Sequence, residues 1–230
     1  MKIGLLIIAT NKYTDFLEPL IESADSFFLK NHDVTYFVFT NKDIDIKTNR
    51  KITRVLIEHK EWPWMTLGRY RIFTNNQDKL SEMDYLFYCD ADMKFVGHIS
   101  GEILGDMVGT IHPGFYNNPN SSNIALEKRP ESLAYLPPNT IKNYYAGGFN
   151  GGSSKEFLKM SKNISDNIDI DIEKHNIIAE WHDESHMNKY FFENEPSVKL
   201  SPSYCYPESW NIPFDRKLLA LDKNHNEIRN

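Results

Sequence analysis

Tyr85-Leu-Phe-Tyr-Cys89-Asp90-Ala91-Asp92 is the stretch that decides how this chain is read. Its first five residues have the length and the aromatic content of a buried strand. Two carboxylates, two positions apart, then stand at the carboxyl end of that strand. In open α/β sheets, ligands lie beyond the carboxyl ends of the strands. Asp90 and Asp92 offer hard oxygen ligands to Mg²⁺ or Mn²⁺, which keep positions open for the oxygens of a diphosphate. The competing reading is a solvated turn after a strand, and the surrounding sequence weighs between the two.

Upstream, residues 3–9 are almost continuously apolar, as in a strand covered on both faces. Leu17, Leu20, Ile21, Ala24 and Phe27-Phe28 share one side of a helix predicted over 16–29. Strands follow over 34–39 and 52–57, and a helix over 66–80. Strand–helix–strand repetition predicts an α/β fold with a parallel sheet and helical crossovers. Thr10-Asn11-Lys12-Tyr13 then falls at the end of the first strand, on the same side as Asp90 and Asp92.

Bulk properties narrow the class. The chain has 230 residues, enough for one large domain or two small ones, and a net charge of −6. That charge disfavours a nucleic-acid partner, which needs a basic face. Cys89 and Cys205 make no disulfide framework and point to a reduced compartment. No apolar stretch reaches the roughly 20 residues that cross a bilayer. The short apolar start, Met1 to Thr10, lacks a small-residue cleavage site and reads as a core strand rather than a leader. A soluble, cytoplasmic protein is expected, in which the glycosylation-type triplets at Asn120 and Asn163 carry no meaning.

Downstream, residues 112–143 are rich in Pro, Asn and Ser, and 117–123 is strongly turn-forming. A loop of that length suggests a mobile cover over a site. Tyr144-Tyr-Ala-Gly-Gly-Phe-Asn-Gly-Gly-Ser-Ser154 follows. Its glycines allow close approach to a ligand or positive φ, and its aromatics argue against a flexible linker. It is neither a Walker loop nor a dinucleotide fingerprint. Ser153 or Ser154 is placed to cap a helix from about Lys155. Trp181-His-Asp-Glu-Ser-His186 opens another helix, to about 192, with Asp183 as its expected cap. His182 and His186 share a helix face but lack the His-Glu-x-x-His order of a zinc site. A tryptophan beside carboxylates suits a sugar: an aromatic face for the ring, acids for the hydroxyls.

Taken in order, several strings resemble the family 6 glycosyltransferases, the group of the histo-blood-group A and B transferases and the α-1,3-galactosyltransferases. They are Asp84-Tyr-Leu-Phe-Tyr-Cys-Asp-Ala-Asp-Met-Lys-Phe95, Gly109-Thr-Ile-His-Pro-Gly-Phe-Tyr116, Glu127-Lys-Arg-Pro130, Tyr144 to Gly152, Trp181 to Tyr190 and Leu200-Ser-Pro202. The chain resembles the minimal catalytic domain of bacterial and viral members, without the membrane anchor and stem of the animal enzymes.

The resemblance implies a GT-A fold, Rossmann-like, over one domain spanning 1–230, with a nucleotide-binding half over 1–95 and an acceptor and donor-sugar half over 96–230. It implies a retaining transfer of N-acetylgalactosamine, or alternatively galactose, from its UDP donor in α-1,3 linkage to a galactose-containing acceptor, which is 2-fucosylated in some members. Carried over by position, Ile8, Thr10 and Tyr13 hold the uridine and Arg69 faces the donor. Asp90, Ala91 and Asp92 form the diphosphate clamp, with Asp90 and Asp92 on Mn²⁺ or Mg²⁺. Many bacterial relatives carry Asn-x-Asn here and work without metal, so the acidic pair predicts metal dependence. Ala146, Gly147 and Gly148 select the donor sugar, and their small size favours UDP-N-acetylgalactosamine. Asp183 binds that sugar, and Glu184 is the catalytic residue beneath the anomeric carbon. Lys223 and Arg229 belong to a tail over the diphosphate. His112, Trp181 and Glu208 contact the acceptor. A phosphatase with Asp-x-Asp after a strand is disfavoured by Lys94, and a non-catalytic glycan-binding module has no need of Asp90, Asp92 and Glu184 together.

Overall fold

The first strand, β1 (Lys2–Ile8), places Ile3, Leu5 and Ile7 in one buried cluster and Leu6 in another. Apolar side chains on both faces match a strand with helices on either side. The computed structural model describes residues 1–119, 121, 124 and 126–228, with the backbone alone at 225 and 226. After β1 come a 3₁₀ turn (Asn11–Phe16), α1 (Leu17–Phe27), β2 (Asp33–Thr40) and β3 (Lys51–Leu56). Three short helices, α2 (Trp64–Leu67), α3 (Arg69–Asn75) and α4 (Gln77–Leu80), lead into β4 (Tyr85–Cys89). Then follow β5 (Met93–Phe95), β6 (Met107–Ile111), β7 (Tyr145–Ser153), α5 (Ser154–Ile170) and a π-helical turn (Asp171–His175). The chain continues through α6 (His182–Glu193), β8 (Val198–Leu200), β9 (Tyr206–Pro207), β10 (Leu218–Ala220) and α7 (His225–Ile228).

Seven strands form the main sheet in the order β3-β2-β1-β4-β7-β6-β8, and β5, β10 and β9 form a small second sheet. In the main sheet only β7 runs against its neighbours, β4 and β6; the other pairings are parallel. This is the expected α/β class, a mostly parallel sheet flanked by helices and GT-A-like in its arrangement. From β1 the chain crosses to β2 on one side and later reaches β4 on the other. The gap between the ends of β1 and β4 is therefore a topological switch point, where α/β sheets bind ligands.

One face of the sheet packs on α1 through Leu17, Leu20, Ile21 and Ala24, and the other on α3, α5 and α6 through Phe73, Phe157, Met160 and Met187. Each of the larger of these side chains contributes about 1.5–3 kcal/mol on burial. The two faces together hold β1 and β4 side by side at the switch point.

Several local expectations are corrected. The helix predicted over 16–29 starts one residue later, behind the 3₁₀ turn. The helix predicted over 66–80 is broken at Gly68 and Asn76 into three. The glycine-rich segment is a sheet strand, β7, whose missing side chains let neighbours close in. A Cβ on Gly151 would come within 2.3 Å of the Phe87 ring, and one on Gly152, at φ +154°, within 2.2 Å of the Asp106 carbonyl. Ser153 sits at the start of α5 without a side-chain capping bond, and Trp181, not Asp183, stands at the cap of α6. Of the stretch 117–123, residues 120, 122 and 123 lie outside the described residues, Asn120 with them. Further along, Ile124, Leu126, Leu136, Ile141 and Tyr144 build a small third cluster, so the middle segment has its own core. Cys89 and Cys205 are buried free thiols. Among the described residues no helix is long and apolar enough to cross a membrane.

Candidate active site

A cleft of about 320 Å³ opens at the switch point. The end of β1 supplies Ile8, Thr10 and Tyr13, and the end of β4 supplies Asp90, Ala91 and Asp92. Gly147 and Gly148 of β7, the first turn of α6 and Lys223 complete its walls. Thr10 Oγ1 shares a hydrogen bond of 2.9 Å with His59 Nδ1, a cleft residue that the motif reading missed.

Arg69 is the hub. It is 8% exposed and opens α3 just after the Gly68 break. Its Nη1 donates to the Gly147 carbonyl at 2.9 Å, its Nη2 lies 3.6 Å from Asp90 Oδ1, and its Nε lies 3.0 Å from Asp183 Oδ2. The last contact is ionic but off the N–H direction, since Asp183 Oδ2 has no hydrogen-bond partner. The guanidinium also sits 4.3 Å over the Tyr88 ring. Burial opposes its charge, but Asp183, Tyr88 and Asp90 hold its pKa above the ordinary range. Arg69 thus lines the cleft while most of its donors are directed at protein groups. It ties β4, β7 and α6 into one rigid floor.

The four acids divide into two kinds. Asp90 accepts a hydrogen bond from Tyr88 Oη and faces Arg69, and Asp92, 8% exposed, is ion-paired with Lys223. Lys223 also lies 5.2 Å over the Tyr13 ring, so the tail closes across the cleft from β4 to β1. Arg229 lies outside the described residues. Asp183 and Glu184 stand in the first turn of α6, where the helix dipole favours an anion. Burial outweighs it: the Asp183 carboxyl is pushed up to about 6 despite Arg69. Burial likewise lifts Glu184 to about 7, although two hydrogen bonds favour its ionised form. Gly147 N–H donates to Glu184 Oε2 at 2.7 Å, and Tyr144 Oη donates to Oε1 at 2.9 Å. Glu184 is still partly open to the cleft.

For a metal, the donor set is chemically apt. Asp90 and Asp92 present carboxylates to one end of the cleft. Among the described residues no three His, Cys, Asp or Glu side chains cluster to enclose an ion. Further ligands therefore have to come from a substrate, as in Mg²⁺ and Mn²⁺ phosphate sites.

The remaining expected residues are placed unevenly. Trp181 is 54% exposed on the cleft wall, beside His182, whose ring meets Trp62 edge-on at 5.0 Å. His112 does not line the cleft; it is stacked on Phe115 at 4.8 Å, and burial pushes it down to about 4, so it is neutral. Ala146 is buried in the core under the sheet, away from the cleft wall. Glu208 does not line the cleft. Its Oε2 accepts the Asp222 N–H at 3.0 Å, which anchors the tail leading to Lys223. The two histidines of the motif also part company. His182 faces the cleft, whereas His186 is buried behind it, 3.5 Å from Asp171, with burial lowering its pKa. Glu127 and Asp171 there bind backbone amides of Glu180 and Leu133, joining the middle segment to α5 and α6. Tyr144 and Asn188 were also missed. Asn188 clamps both backbone groups of Tyr145 at 2.8 Å and locks β7 to α6. Their only local signal is position, Tyr144 beside the glycines and Asn188 one turn after Glu184.

Comparison with known proteins identifies the family. The model of glycosyltransferase family 6 matches residues 1–230. The chain is 36% identical to histo-blood group ABO system transferase 1 of Rattus norvegicus, over 99% of this chain and 68% of the relative. It is 34% identical to globoside alpha-1,3-N-acetylgalactosaminyltransferase 1 of Gallus gallus, over 100% and 70%. It is 32% identical to the O-antigen biosynthesis glycosyltransferase WbnI of Escherichia coli, over 97% and 95%.

Proposed function

The chain belongs to glycosyltransferase family 6, a hexosyltransferase taking a nucleotide-sugar donor and a glycan acceptor, and from that premise we propose a specific reaction. The protein transfers N-acetylgalactosamine from UDP-N-acetylgalactosamine, with retention, in α-1,3 linkage to a galactoside. One observation carries this reading. Asp90 and Asp92 share a cleft with Glu184, which is held from beneath by Gly147 N–H and from the side by Tyr144 Oη.

Charge explains the division of labour. Leaving of UDP builds negative charge on the diphosphate and positive charge on the anomeric carbon. Asp90 and Asp92 would hold Mn²⁺ or Mg²⁺, which when bound neutralises the diphosphate. Lys223 brings a further positive charge to the same end, and Arg229 is its proposed companion. Glu184 serves the carbon end in its ionised form, either as a nucleophile or as the anion that stabilises an oxocarbenium ion. Gly147 and Gly148 present no side chain to the cleft, which supports a donor bearing a 2-acetamido group. The smaller galactose is then rejected only weakly. Trp181 and His112 supply the acceptor side.

The test is UDP release from UDP-N-acetylgalactosamine and UDP-galactose, with fucosylated and plain galactosides, with Mn²⁺ and with EDTA. Faster turnover of the N-acetylgalactosamine donor, abolished by EDTA, is expected. Preference for UDP-galactose removes the donor assignment, and full activity in EDTA removes the metal.

A further inference from the structure

We propose that Tyr144 is a positioning residue for Glu184, linking the small core of the middle segment to the carboxylate on which transfer depends. It rests on the role given to Glu184 above. Tyr144 is 2% exposed and lies just before β7. Three constraints fix its ring. Its carbonyl accepts the His112 N–H at 2.8 Å, its ring meets His112 and Phe115 edge-on at 5.7 and 5.4 Å, and it packs with Ile124, Leu126, Leu136 and Ile141. A ring held on all sides delivers its hydroxyl to one place, 2.9 Å from Glu184 Oε1.

That hydrogen bond does two things. Together with Gly147 N–H on Oε2, it sets the plane of the carboxylate. It also favours the ionised form, since a hydroxyl bond to a carboxylate is charge-assisted. The Tyr144 hydroxyl is itself driven well above its usual pKa, by burial first and then by Glu184, so it stays a donor at every working pH. The other titratable groups around Glu184 are Asp183 on α6, Arg69 and Tyr70 on α3, and Cys205 beyond β8. Among the described residues only Tyr144 bonds its side chain directly to the carboxylate. Because the tyrosine ring is part of the middle segment's core and touches His112, order on the acceptor side reaches Glu184 through this bond.

The test uses Tyr144→Phe, which keeps the ring and removes the hydroxyl. Glu184 is followed by ¹³C-carboxyl NMR in the ligand-free protein and by the acid limb of the rate profile. Loss of the bond moves the Glu184 titration up by about one pH unit. It lowers kcat by roughly 10-fold or more, with a far smaller change in the donor KM. An unchanged Glu184 titration overturns the proposal, as does a lower kcat with an unmoved limb, because packing alone then explains the loss. Glu184→Gln separates the two ideas. If that variant keeps turnover, the role of Glu184 falls, while the NMR titration still reports on Tyr144 alone.

Discussion

The end of β4 and the start of α6 each bring a pair of acids to the same cleft, yet the chain treats them differently. Asp90 and Asp92 are met by side-chain cations, Arg69 and Lys223. Asp183 and Glu184 are driven toward protonation by burial, to about 6 and about 7, and Glu184 is held by one amide and one phenol. At the helix start Arg69 reaches Asp183 at 3.0 Å, whereas Glu184 has only dipoles bonded to it, so its charge is the costly one. What sets Glu184 apart from the other three is burial without a side-chain ion pair among the described residues, not residue type.

The contrast breaks most sharply at Glu184. Glu184→Gln is expected to lower kcat by about 10³-fold or more with little change in UDP binding, measured by steady-state kinetics and calorimetry. The same variant has a second signature. The folded chain raises this carboxyl from 4.5 to about 7, so its contribution to stability is fully present below pH 4.5 and is lost as pH rises through about 7. Glu184→Gln is therefore expected to be more stable than the parent at pH 8, by about 1–2 kcal/mol in urea unfolding, and equal at pH 4. Reduced stability of the variant at pH 8 would falsify the burial account. In the parent, kcat/KM is expected to fall as pH drops through about 7, as Glu184 gains its proton.

Asp92→Asn tests the other pair. Turnover at fixed Mn²⁺ is expected to drop about 10²-fold and to recover partly at higher Mn²⁺, followed by metal titration in the presence of UDP. Unaltered metal dependence sinks the assignment of Asp92. Lys223→Ala sharpens it: the donor KM is expected to rise roughly 10-fold with kcat less affected, since a charge is lost from the diphosphate end. The smallest effect is expected at Gly148→Ala. The new Cβ would sit 3.2 Å from Asp90 Oδ2 and 3.3 Å from Cys205 Sγ, a tight but not forbidden fit, so the donor KM should shift only a few-fold.

Legibility followed the range of the interaction. The apolar runs of β1, β2 and β4 are visible in five to eight residues, and so these strands and their class could be read. The helix over 66–80 was read as continuous, whereas the chain breaks it at Gly68 and Asn76, and the first break lets α3 open on Arg69. The glycines of β7 were not readable as a strand, because their reason for being glycine is Phe87 and the Asp106 carbonyl, more than 40 residues away. Ala146 and Gly147 are neighbours in sequence but face opposite sides of a strand, one into the core and one into the cleft.

By itself the sequence determined the strand and helix order of the first half, the place of Asp90 and Asp92 at a strand end, and that of Asp183 and Glu184 at a helix start. These follow from local periodicity and composition. Tertiary structure alone decided which acids meet cations and which are buried, that Arg69 joins three elements, that Lys223 reaches Asp92 and that Tyr144 reaches Glu184. The physical reason is that charge is tuned by whatever surrounds it within a few ångströms. Those surroundings come from parts of the chain that only the sheet order brings together.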